Sequence, residues 1–183
     1  MNVRANTLIE TIESQLFTVK NDIEVHKNYF NSFLILLPII EVMGSYLDSF
    51  PVDKMGLSKS RFTKAIKQLF DDKYNALSDE LYRLRCSLTH NSIPNERFLL
   101  IGANADIHYH LKETLENQIV LHTSEFFNDA SNAFIKLKNG IGVDPQIDAS
   151  KSNTPYTYIN TFIHDKDVIQ TTGSTSVVAI QFK

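Results

Sequence analysis

Leu81-Tyr82-Arg83-Leu84-Arg85-Cys86-Ser87-Leu88-Thr89-His90-Asn91 is the stretch on which the reading of this chain turns. Leu81, Leu84 and Leu88 recur at the spacing of one helical face, and Pro94 biases Ile93 toward an extended backbone. A helix over residues 78–91 should therefore stop near His90, carrying Arg85 toward a histidine at its end. Two readings of that pair stand side by side. In one, Arg85 and His90 act together on a phosphate. In the other, Arg85 pairs with Asp79, Glu80 or a dimer partner, and His90 sits at a helix C-terminus, where an imidazolium meets the dipole favourably.

Upstream, Leu8, Ile12, Leu16 and Val19 predict an amphipathic helix over residues 7–20. Residues 23–47 carry apolar side chains on nearly all sides, which predicts a central helix packed all round, kinked or divided at Pro38. Ser58 is a candidate cap for a helix whose apolar face is Phe62, Ile66, Leu69 and Phe70. Downstream, short apolar runs between residues 97 and 121 read as strands, and Thr123 or Ser124 should cap a last helix that Asn139-Gly140 ends. The expected architecture is mainly α: a bundle of four to five helices over residues 1–140 enclosing a small antiparallel β element. A polar connector over residues 141–155 and a β-prone tail over 156–183, packed on the same domain or on a partner subunit, complete it.

Lysine and arginine total 18 against 21 acidic residues, a formal charge of −3, so no domain-wide positive field exists to hold a long duplex. Any nucleic-acid contact must be local. Arg61, Lys64 and Lys67, spaced at three residues, are the candidate phosphate-binding stripe, with a solvated helix face as the plainer reading. The single cysteine, Cys86, excludes an intramolecular disulfide framework and suits a reducing compartment. No apolar run approaches the roughly 20 residues of a membrane span, and the N-terminus does not read as a signal peptide, so a cytoplasmic location is expected.

The phrase Leu81-Tyr82-x-Leu84-Arg85-x-x-Leu88-x-His90, with Arg61-Phe62 and Lys73-Tyr74 before it, resembles the HEPN superfamily (higher eukaryotes and prokaryotes nucleotide-binding) over residues 22–139. The resemblance implies a helical bundle that usually forms homodimers. In active members it implies a metal-independent endoribonuclease without a cofactor, often in toxin-antitoxin or phage-defence systems, with RNA and an antitoxin or other protein as partners. Carried onto this chain, His90 takes the proton from an RNA 2′-hydroxyl while Arg85 offsets the charge of a phosphorane-like transition state. Tyr82 and Asn91 are candidate substrate-orienting groups. Cys86 stands where active relatives commonly place a polar residue. The alternative is a catalytically silent dimeric interaction or nucleotide-sensing module in which Arg85 and His90 are structural.

On an ideal helix, residues five apart point about 140° from one another, so Arg85 and His90 converge only if the helix unwinds near Thr89 or a second subunit completes the cleft. His108 and His110 would share one face of a strand, with His122 nearby, but no fourth ligand is signalled, and no metal is expected. Gly140-Ile141-Gly142 lacks the third glycine and preceding strand of a dinucleotide-binding fingerprint.

Overall fold

The computed structural model describes residues 7–154. Five α-helices, α1 (Leu8–Asn21), α2 (Tyr29–Ser45), α3 (Ser58–Leu69), α4 (Ser78–Asn91) and α5 (Thr123–Gly140), surround one core, with short strands β1 (Phe98–Ile101) and β2 (Ile119–His122) on its flank. The expected tail over 156–183 lies outside the described residues. No described helix is long and apolar enough to cross a membrane.

Each helix begins where local chemistry favours it. Thr7 and Glu10 form a reciprocal capping box at the start of α1, which buries Leu8, Ile12, Leu16 and Val19 on one face. The chain then makes a π-helical turn, Asp22–His26, and Asn28 caps α2 by accepting from the Asn31 N–H at 3.4 Å. As its all-round apolar surface predicts, α2 is the central helix, packed against α1, α3, α4 and α5. Pro38 lies inside it without dividing it. The ring removes the hydrogen bond to the Leu34 carbonyl, but burial of Phe33, Leu36, Leu37, Ile39 and Ile40 on both sides holds the helix together.

Ser58 does not cap α3; it is the helix's first residue, and its hydroxyl donates to Glu41 instead. The cap of α5 is His122, not Thr123 or Ser124. Inside the bundle, Phe33, Phe70, Tyr74 and Phe126 form an aromatic cluster with ring centroids 5.5 to 6.2 Å apart.

The strands correct one expectation. β1 and β2 pair in parallel, Phe98 opposite Ile119 through Ile101 opposite His122, rather than antiparallel. A parallel pair needs a connection long enough to return to the starting end, and residues 102–118 supply it; β2 can then run directly into α5. An isolated antiparallel bridge, Glu113 to Ile119, ties that connection to the start of β2. The run near Ile107 is a 3₁₀ turn, Ile107–Tyr109, because the Asp106 carboxylate accepts from the His108 N–H and bends the chain.

Residues 141–154, expected as connector, pack back on the bundle. The Asp148 N–H donates to the Tyr46 carbonyl at 2.7 Å, Ile147 joins the core, and the Leu8 N–H donates to Thr154 O at 3.0 Å. The described segment thus closes on itself, both ends meeting at the start of α1.

Candidate functional site on helix α4

α4 is uninterrupted from Ser78 to Asn91 and ends when Ser92 turns left-handed (φ 53°), its N–H donating to Leu88 O at 3.0 Å. No unwinding at Thr89 brings Arg85 and His90 together; the Thr89 hydroxyl donates back to Arg85 O at 2.8 Å within the helix. The two side chains leave the same helix in different directions, Arg85 into the bundle and His90 into solvent.

Arg85 is only 6% exposed. Its Nη2 lies 2.7 Å from Oε2 of Glu41 on α2, while Oε1 of that carboxylate accepts from Ser58 Oγ at 2.6 Å. The contact joins three helices, because Ser58 opens α3. It is a Coulombic contact rather than a bidentate fork: Arg85 Nε and Glu41 Oε2 are buried without an aligned hydrogen-bond partner. Glu41 fixes where the guanidinium sits and leaves part of its donor capacity unspent.

His90 and Asn91 are exposed at the end of α4. Tyr82 is half-buried, its ring 5.8 Å from that of Phe62. Burial, then a hydrogen bond with Cys86 one turn on, pushes its hydroxyl pKa up. Tyr82 therefore faces the α3–α4 contact, whereas Asn91 shares the exposed end with His90.

The candidate phosphate-binding stripe is divided. Arg61 is 5% exposed and is used up by the loop after α2: Nε donates to Asp48 Oδ2 at 2.7 Å, Nη1 to Val52 O at 2.6 Å and Nη2 to Pro51 O at 2.7 Å. Lys64 Nζ donates to Leu47 O just beyond the end of α2. Only Lys67 is exposed. The reason is the C-terminus of α2, whose unpaired carbonyls and negative dipole end draw in cations. Lys151 joins them, buried at 5% exposure, with Nζ 3.0 Å from Asp48 Oδ1 and also donating to Ser45 O. Burial pushes the Asp48 carboxyl up, but hydrogen bonds from Arg61 and Lys151 outweigh it and hold its pKa below the ordinary value.

The histidines do not converge on a cation site. His108 is exposed and pairs with Asp106 at 2.7 Å, whereas His110 and His122 are turned inward. Among the described residues no cluster of three or more His, Cys, Asp or Glu side chains is arranged to hold a metal ion.

Sequence reasoning missed Glu41, Asp48, Lys151 and Asp129 and gave Ser58 and Tyr74 other roles, whereas together these six side chains organise the polar interior. One signal was available: Gly44, in a helix otherwise rich in large apolar residues, marks a close backbone approach. No family model, curated protein or solved structure matches the chain.

Proposed function

We propose that this protein is a HEPN-like ribonuclease-type module whose reacting groups, Arg85 and His90, are completed into one cleft only when two copies associate through α4. The observation supporting this reading is that α4 presents His90 to solvent five residues after an arginine held in place by Glu41. Neutral His90 takes the 2′-hydroxyl proton, the 2′-oxygen attacks phosphorus, and Arg85 offsets the added negative charge. The imidazolium so formed on His90 returns its proton to the departing 5′-oxygen as the P–O5′ bond breaks, leaving a 2′,3′-cyclic phosphate. RNA is the substrate class and a homodimer the working form.

A second reading, a catalytically silent interaction module, is favoured by a different observation: Arg85 is almost wholly buried in its pair with Glu41. One experiment separates them. Purified protein of measured oligomeric state is incubated with a mixed labelled RNA pool in EDTA, beside His90→Ala. Chelator-insensitive cleavage to cyclic-phosphate ends by wild type, reduced at least about 100-fold in His90→Ala at an unchanged melting temperature, is the expected result. A folded dimer that cleaves nothing across the pool sinks the ribonuclease and leaves the interaction module.

A further inference from the structure

A second polar network lies away from Arg85, where the β1–β2 connection meets α5. Tyr74 is fully buried in the 3₁₀ turn Asp72–Leu77, and its hydroxyl donates to Asp129 Oδ2 at 2.6 Å. A phenol has one proton, so the 2.7 Å contact between Tyr74 Oη and His110 Nε2 requires the imidazole to be the donor. On the other side of that ring, Nδ1 accepts from the His122 backbone N–H at 3.2 Å. His110 is thereby held as the neutral Nε2–H tautomer. His122, fully buried, follows the same logic: Nδ1 accepts from the Glu125 N–H as the cap of α5, and Nε2–H donates to Ala105 O at 3.1 Å.

Both imidazoles thus pin the β1–β2 connection, one at Ala105 and one at His110, and both need a bare Nδ1. Adding a proton to Nδ1 of His110 sets its N–H against the His122 backbone N–H. We propose that His110 is an acid-released latch, held shut between Tyr74 and the His122 backbone N–H, whose protonation frees residues 102–118 while the bundle core stays folded.

The charges facing His110 are few. Asp129 approaches from α5 at 3.8 Å, and Lys73 from the 3₁₀ turn, itself paired with Asp129 at 2.8 Å; Glu125 and Asp71 act on the neighbouring Tyr74 hydroxyl. His122 faces it from the end of β2, and on its own segment Asp106, His108 and Lys112 are exposed. Burial pushes the His110 pKa down to about 4; attraction to Asp129 opposes this, while Lys73 and His122 reinforce it. The sign follows. A histidine depressed in the closed form and ordinary in the open one keeps the latch shut above about 6.5 and releases it as pH falls toward 4. The network has no room for a substrate, because Tyr74 is wholly buried.

Hydrogen exchange of the full chain at pH 7 and pH 5, corrected for intrinsic rates, tests the latch. One histidine titrating at about 4 closed and 6.5 open raises the open population about twentyfold between those pH values. That rise is expected in amides 103–123 but not in α1–α3, and it should vanish in His110→Gln, which keeps a donor toward Tyr74 but does not titrate. A uniform change along the chain, or an undiminished local change in His110→Gln, overturns the proposal. Side-chain nitrogen NMR of the wild type gives a check independent of any variant: protonated Nδ1 on His110 at pH 7 also overturns it.

Discussion

Asp48→Ala is expected to destabilise the protein by about 3–5 kcal/mol, because it strips buried Arg61 of its counter-charge and leaves buried Lys151 only the longer Asp148 contact at 3.7 Å. Arg61 and Lys151 are each 5% exposed, and both reach the Asp48 carboxylate, at 2.7 and 3.0 Å. Around it these cations also satisfy the carbonyls of Ser45, Pro51 and Val52. Removing the carboxylate therefore costs more than two contacts: the loop after α2 loses the charge that keeps both cations inside. Urea unfolding monitored by circular dichroism should show a lower midpoint with an unchanged slope. A midpoint shift under about 1 kcal/mol would mean that water already screens the cluster.

Asp48 also sets a limit at low pH. Its carboxyl is held below the ordinary value, so its contribution is complete above about pH 4 and is lost as pH falls through the depressed folded value. The His110 contribution fades at higher pH, between about 6.5 and 4. Wild type should therefore lose stability on acidification in two successive windows. Removing the histidine should abolish the first and leave the second.

Gly44→Ala is the other large effect, with an expected loss of about 3 kcal/mol although alanine is the better helix former by about 1 kcal/mol. A Cβ at Gly44 would lie 1.9 Å from Arg61 O and 2.5 Å from Arg61 C. Those are backbone atoms of α3, so no rotamer change relieves the overlap; α2 and α3 must separate. Separation also pulls Arg61 from Asp48, coupling the two predictions, so the double variant should cost less than the sum of the singles. Thermal unfolding of Gly44→Ala checks this, and a raised melting temperature would show that the helices can part without loss.

The helices were legible because their signals are local. The period of Leu8, Ile12, Leu16 and Val19, the leucine spacing of α4 and the stop at Asn139-Gly140 each follow from residues a turn or two apart, and all appear in the structure. The β element was legible as short strands but not in its pairing. Parallel or antiparallel order depends on where a long connection returns, which no short window contains. The cap of α5 was missed because histidine is an unusual cap, chosen here by the geometry that also presents it to Ala105.

For the candidate site, the amino-acid sequence by itself determined that Arg85 and His90 lie on one helix, which stops just after His90. Their different fates belong to the tertiary structure. Burial of Arg85 depends on Glu41, forty-odd residues earlier on α2, and on Ser58 at the start of α3, which helix packing brings to one point. Arg61 and Lys64 resemble Lys67 on a helical wheel, yet only Lys67 faces water, because the close approach at Gly44 places the other two against the carbonyl end of α2. Periodicity is a property of neighbours along the chain and survives in any window. The partner of a buried charge is a property of the packed whole, since desolvation and Coulomb attraction act only once distant segments have met.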